Sequence, residues 1–378
     1  MTSICPGTIL AINTGSSSVK FQLFDHTLAL TLLAKGEVEN IGGTPSFLAV
    51  DEKTQHTEKK TFSSESTHEN ALEFILNWIG EESKSQPLSA VAHRIVHGGP
   101  VFSKSVLITP AVISELEEFI PFAPLHQPHN LAAIDIISKI KPDMPQVACF
   151  DTAFHFSHDP LFTQYALPKK LRDKGIRRYG FHGLSYEWIV HTLRQNNPKL
   201  AEGRVIAAHL GNGASICAMR SGVSFNTTMG MTALEGLCMG TRCGTLDPGA
   251  LIYMIRELGM SADEAEHILY NESGLLGLSG ITNNVKLLQE SDNAAAQFAL
   301  EYFSLRAAQF IGQMAVALGG VDGIVFTGGI GENSAFVRDK ILSRIEFMKP
   351  FDMCVIPANE ERIMAMHAAV CLETEQRN

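Results

Sequence analysis

The chain has 378 residues, 45% of them hydrophobic and 19% charged, a globular composition rather than that of a disordered or fibrous chain. A formal net charge of −10 leaves no basic surplus to neutralise a nucleic-acid backbone, so a polyanionic substrate must be met by positive charge gathered locally. At about 150 residues per domain, the length suggests two or three domains.

Short β-rich apolar runs alternate with longer amphipathic stretches, the signature of an α/β fold. Residues 8–12 and 19–24 predict strands joined by a small-residue turn over 13–18. The pattern continues with a helix over 70–78, a strand over 91–96, helices over 111–119 and 131–140, and a strand over 146–150. Further on it predicts a helix over 186–194, strands over 205–209 and 216–219, a long core helix over 294–318, and a strand over 324–327. The strand, turn and strand of residues 9–19 recur at 205–216, and a third strand at 323–327 runs into Gly328-Gly-Ile-Gly-Glu-Asn333. This echo predicts two related domains: residues 1–151, rejoined by a C-terminal helix over about 362–378, and residues 152–361.

The seven cysteines (5, 149, 217, 238, 243, 354 and 371) are odd in number and form no Cys-x-x-Cys pair, so they read as small buried apolar residues rather than a disulfide framework. Residues 1–7 lack a basic segment leading into an apolar one, and no apolar run reaches about 18 residues, so a soluble cytoplasmic protein is expected.

Residues 209–249 hold 8 of the 31 glycines, roughly twice the chain average, as a backbone that approaches phosphate oxygens closely would require. Loops needing positive φ would give the same density. There is no Gly-Lys dipeptide and no Gly-x-Gly-x-x-Gly, which excludes a Walker A loop and argues against a Rossmann half. His93 and His97, His126 and His129, and His155 and His158 are spaced three or four apart, but none sits in a His-Glu-x-x-His helix. The turn-borne histidines beside Arg94 and Asp151 read as hydrogen-bond donors around an anionic substrate.

Asn13-Thr-Gly-Ser-Ser-Ser-Val-Lys20, Ala92-His-Arg-Ile-Val-His-Gly-Gly99, Phe150-Asp-Thr-Ala-Phe-His155 and Tyr179-Gly-Phe-His-Gly183 resemble the signatures of the acetate and propionate kinases. So do His209-Leu-Gly-Asn-Gly213, Met239-Gly-Thr-Arg242, Phe326-Thr-Gly-Gly-Ile-Gly-Glu-Asn333 and Pro357-Ala-Asn-Glu-Glu361. The resemblance runs in order from residue 9 to about 366. It implies two duplicated actin-like, ribonuclease H-like domains with a nucleotide cleft between them, a homodimer, and transfer of a phosphoryl group from ATP to a short-chain carboxylate.

Such a transfer asks mainly for positioning and charge neutralisation. A carboxylate with a pKa of about 4 to 5 is already ionised at pH 7 and needs no general base. By the resemblance, Arg94 clamps the substrate carboxylate, and Val96, Leu125 and Phe181 line a small acyl pocket. Asp151, His182 and Arg242 are the catalytic group. His182 and Arg242 stabilise the migrating phosphoryl, and Asp151 orients a neighbour or the hydrated metal. Asn13 and Glu360 would hold Mg²⁺, with Mn²⁺ as a substitute. Lys20 and the turn of His209, Leu210, Gly211, Asn212 and Gly213 would meet the phosphates of ATP or ADP. Asn284, Val285 and Lys286, with Gly329, Ile330, Gly331, Glu332 and Asn333, would frame the adenosine.

The chain departs from the family pattern in places. Cys243 and Thr245 stand where Ser and Asp are common, and Asn284-Val-Lys286 stands where Asp-x-Arg is usual. The connection over 346–356 is short. Ala233 replaces a proline of the acyl pocket, which predicts room for propionate. Alternative readings are a propionate or butyrate kinase, a sugar kinase of the same fold, or an actin- or Hsp70-like ATPase. A sugar kinase would make Asp151 an essential base. The ATPase would need a peptide-binding module or polymerising surface for which no residues are left over. No nucleic-acid or membrane partner is expected.

Overall fold

The computed structural model describes residues 7–82 and 86–375, so Cys5 and residues 376–378 of the expected C-terminal helix lie outside the described residues. The chain divides into two compact units, Met1–Ala153 with Asn359–Asn378, and Phe154–Ala358.

The first unit is built on strands β1 (Thr8–Thr14), β2 (Val19–Asp25), β3 (Leu32–Glu39), β4 (Ser46–Asp51), β5 (Thr57–Thr61), β6 (Leu88–Ile95), β7 (Val106–Leu107) and β8 (Gln146–Phe150). They form one sheet in the order β5-β4-β3-β2-β1-β6-β8-β7. β1 to β5 pair antiparallel as a meander, whereas β1, β6 and β8 run parallel. The second unit holds β9 (Arg204–Leu210), β10 (Ala214–Arg220), β11 (Val223–Thr227), β12 (Gly323–Thr327) and β13 (Asp352–Val355) in the order β11-β10-β9-β12-β13. Strand for strand, β3-β2-β1-β6-β8 and β11-β10-β9-β12-β13 share order and direction: two antiparallel pairings, then two parallel ones. The strand-turn-strand echo in the sequence is the visible part of a five-strand repeat, the actin-like arrangement.

Burial explains the central strands. β1 and β12 are covered on both faces and read as continuous apolar runs, while β2 alternates Val19, Phe21 and Leu23 inward with Lys20 outward. Beneath the meander, Phe21 and Phe47 stack at 6.1 Å, and Trp78 of the helix His68–Glu82 meets both edge-on at 5.9 and 5.7 Å. Each such side chain contributes about 1.5–3 kcal/mol by leaving water. The helix Ala294–Leu318 is capped by Asn293 at its start and ends at Gly319 (φ +71°), packing a stripe of small and apolar residues on β9 and β10. The sequence pattern misses β3 to β5 because the edge strand Thr57–Thr61 is charged and exposed, which reads as loop but is how an edge discourages pairing with another chain. The short connection over 346–356 supplies β13, which pairs with β12. No helix among the described residues is long and apolar enough to cross a membrane.

The histidine reading needs correction. His93 alternates away from Arg94 along β6 and is buried against Gln146 Oε1 at 2.7 Å; His97 is fully buried, its Nδ1 accepting from Gly99 N–H at 2.9 Å. His155 lies between Ser224 Oγ (2.7 Å) and the Phe181 carbonyl (3.0 Å), and His158 reaches the same serine at 2.6 Å. These rings are core hydrogen-bonding groups rather than donors to a substrate. Burial lowers the pKa of His93 and His155 to about 4 and, with His155 and Arg177 nearby, that of His158 to about 3. The unfolded chain therefore binds protons below pH 6.5 that the folded chain refuses. Their stabilising effect is full above that pH and is lost as pH falls towards 4, by about 1–2 kcal/mol for each ring at pH 5. Thermal unfolding is expected to show Tm falling steadily from pH 7 to 5; a flat Tm over that range would contradict this reading.

Candidate active site

In the first unit the candidate residues gather at the C-terminal ends of parallel strands, where open α/β sheets place their ligands. Asn13 is the last residue but one of β1, Arg94 lies near the end of β6, and Asp151 follows β8, its N–H bonded to Ile95 O at 3.0 Å. Arg94 Nε and Nη2 donate to the two oxygens of Asp151 at 2.9 and 2.7 Å, and its Nη1 lies 3.2 Å from Glu360 Oε2. Glu360 and Glu361 open the helix Glu360–Glu375, which packs on β1, β6 and β8. Burial opposes the charge on Arg94, but Asp151 and Glu360 outweigh it and hold the guanidinium protonated.

The loop after β6 is pinned from the helix Gln127–Ile140. Asn130 accepts from Val96 N–H and donates to Thr14 O, both at 3.1 Å, and Gln127 bonds both backbone groups of His97. Val96 is buried at this loop and Leu125 is exposed. Lys20 projects from β2 with Glu37 at 3.6 Å.

The donors here suit a hard cation. Asn13 and Glu360 each carry a side-chain oxygen, the donor type Mg²⁺ prefers. Three carboxylates surround the one guanidinium, and burial, then Glu360, pushes the Glu361 carboxyl up. A group that resists a further negative charge would be relieved by a divalent ion.

The second unit repeats the placement. β9 runs through His209 and Leu210 before the turn of Gly211, Asn212 and Gly213, and β12 feeds the short helix Gly328–Asn333. Gly328 has φ +77°, and a Cβ there would stand 2.8 Å from Leu210 O, so only glycine fits. His182 caps the helix Gly183–Asn196 in the left-handed region, at φ +59°, an unusual conformation for a residue with a side chain. Its ring stacks on His209 with centroids 4.3 Å apart. A Cβ at Gly213 would stand 3.4 Å from His182 Nε2 and 3.8 Å from Arg242 Nη1, so the turn, the histidine and the arginine share one locale. Arg242 Nη1 donates to Ala233 O at 3.1 Å, and the guanidinium lies 5.9 Å from the Tyr270 ring. Cys243 and Thr245, the departures from the family pattern, bond through their N–H groups to Leu269 O and Gly236 O and shape the loop that carries Arg242. Phe181 is fully buried.

A cavity of about 550 Å³ opens beside this turn. Asn212, Asn284, Val285 and Lys286 line one part of it, and Gly329, Ile330 and Asn333 another. Of the residues expected there, Leu210 is buried in β9, and Glu332 turns to accept from the N–H groups of Gly328 and Ala358, both at 2.9 Å. Asn284 also caps its own helix, accepting from Lys286 and Leu287 N–H. Sequence reasoning missed Asn283, Gln289 and Ser334, which complete the lining, and Ser185 and Ser215, which hold the two histidines. Of these, only Ser334 had a local signal, as a polar residue capping a helical run. A second cavity, of about 400 Å³ by Lys199, Asp322 and Phe351, lies at the opposite end of these strands and holds none of the candidate residues.

Two copies of one sheet, one carrying an arginine set among carboxylates and the other a nucleoside-sized cavity beside a glycine turn, define a phosphotransferase of the actin-like class. A family model described as the acetokinase family matches residues 8–365. An acetate kinase of Rhodopseudomonas palustris is 46% identical over 345 residues, covering 90% of this chain and 86% of that protein. One of Nitrobacter hamburgensis is 42% identical, covering 95% of each. Among solved structures, a propionate kinase from Francisella tularensis superposes with a TM-score of 0.90 at 34% identity, covering 96% of this chain and 98% of that one. The Porphyromonas gingivalis acetate kinase gives 0.85 at 35% identity, covering 97% and 100%. The chain belongs to the acetokinase family.

Proposed function

We infer that this protein transfers the γ-phosphoryl group of ATP to acetate, reversibly, giving acetyl phosphate and ADP. The observation that carries the reading is Arg94, a guanidinium held charged by Asp151 and Glu360 at the ends of parallel strands, in a chain that matches the acetokinase family almost throughout. Of its five N–H donors Asp151 takes two and Glu360 draws a third, which leaves two for an incoming carboxylate. Asp151 is buried and committed to that fork, so its role is to orient Arg94; an ionised acetate needs no base. His182 and Arg242 meet the equatorial oxygens of the migrating phosphoryl group, where charge builds in the transition state. In the second unit Asn212 and the backbone of Gly211 and Gly213 contact the phosphates, and the cavity by Asn284, Lys286 and Gly329 takes the nucleoside; Lys20 is assigned to the phosphates by the family resemblance alone. Mg²⁺, or Mn²⁺ in its place, would be held by Asn13 and Glu360 and would neutralise charge on the nucleotide phosphates.

The first unit is thus the carboxylate domain and the second the nucleotide domain. A cytoplasmic homodimer completes the reading: the helix Pro248–Arg256 buries none of its residues and exposes Ile252 and Tyr253, with Leu258 just beyond, an apolar face suited to a second copy. A hydroxamate assay with ATP, Mg²⁺ and C2 to C4 acids tests the activity, and no acyl phosphate from any acid would overturn it.

Propionate is expected to be used nearly as well as acetate, because Ala233 leaves room in the acyl pocket. One methylene is worth about 1–3 kcal/mol in such a pocket. The kcat/KM values for the two acids check this, and a hundredfold preference for acetate would sink it.

A further inference from the structure

The two stacked histidines of the second unit are mounted alike. His182 Nδ1 meets Ser215 Oγ and His209 Nδ1 meets Ser185 Oγ, each at 2.8 Å. Both rings thereby turn Nε2 towards the glycine turn: His182 Nε2 is 3.4 Å from a Cβ placed on Gly213, and His209 Nε2 is 3.9 Å from one on Gly211. The mount of His182 has a further member. Ser215 Oγ also bonds the Tyr186 hydroxyl at 2.5 Å, and both Ser215 and Tyr186 are fully buried.

Ser215 has one hydroxyl hydrogen to share between His182 Nδ1 and Tyr186 O. A phenol is the stronger acid and the better donor, which favours the order in which Tyr186 donates to Ser215 and Ser215 donates onward to Nδ1. A neutral imidazole whose Nδ1 accepts must carry its hydrogen on Nε2. We propose that Tyr186 and Ser215 are positioning residues for phosphoryl transfer: their ordered hydrogen bonds hold His182 with its hydrogen on Nε2, a donor aimed at the phosphate turn. The role in catalysis rests on the function inferred above; the tautomer does not. The left-handed backbone of His182 fits this role, since it sets the ring between Ser215 and the turn instead of along the helix it caps.

The test is histidine ¹⁵N NMR on the full-length protein, together with steady-state kinetics. The native protein is expected to show His182 with its hydrogen on Nε2. Ser215→Ala is expected to shift the ring to a mixture containing the Nδ1–H form and to lower kcat about 10- to 100-fold, with KM for ATP changed less than about threefold. Tyr186→Phe keeps the packing and removes only the donor; it is expected to move the tautomer the same way with a smaller fall in kcat. An Nδ1–H His182 in the native protein, or the same tautomer in all three proteins, overturns the proposal. The spectra do not depend on turnover, so a native enzyme that makes no acyl phosphate would defeat the inferred activity and leave the tautomer to be judged separately.

Discussion

Arg94→Gln is expected to lower kcat/KM for acetate by about a thousandfold or more, roughly 4 kcal/mol of transition-state stabilisation. The substitution removes the charge that meets the substrate carboxylate. It also leaves Asp151, 2% exposed, without the cation on which both of its oxygens rest. Stripping one partner from a buried ion pair costs about 3–5 kcal/mol of stability, because the remaining charge stays buried without the cation that offset its desolvation. Activity and folding should therefore fall together, read by hydroxamate assay and urea denaturation. Arg94→Lys separates the two: it restores a positive charge but not the planar fork, so stability should recover more than kcat/KM. An Arg94→Gln enzyme within tenfold of the parent would remove Arg94 from the site.

Arg242→Ala is expected to behave differently, with kcat lower by about 10³ and KM for ATP changed less than about threefold. Its guanidinium is half-buried, and Nη1 donates to the Ala233 carbonyl beside the glycine turn. The loss belongs to the transition state, where charge spreads over the phosphoryl oxygens, and not to the ground-state nucleotide, which meets the cavity by Asn284 and Gly329. Equal falls in kcat and in affinity for ATP would assign Arg242 to nucleotide binding instead.

The elements legible in the sequence were those with strong local patterns. The continuously buried strand Gln146–Phe150, apolar after its first residue, and the long helix Ala294–Leu318 carry patterns strong enough to be placed to the residue. The two strand-turn-strand echoes disclosed the repeat through their small-residue turns. Missed elements had weak or misleading patterns, such as the charged edge strand Thr57–Thr61 and the exposed Asp352–Val355, whose strand character comes from a neighbour. The histidines of β6 and of the 155–158 segment misled because proximity in sequence to Arg94 and Asp151 says nothing about which face of a strand or turn a ring occupies.

By itself, then, the sequence determined the α/β class and the duplication, because both are written in local spacing, and its motifs carried the resemblance to the acetokinase family. It also showed that a chain of net charge −10 must concentrate its cations where they act. Only the tertiary structure decided what each candidate does with its hydrogen bonds. Arg94 meets Asp151 across 57 positions of chain because β6 and β8 lie parallel and adjacent; Glu332 is spent on backbone N–H groups; and His182 is held from Ser215, 33 residues away. Partners so far apart in sequence are chosen by strand order and register, which no local pattern encodes.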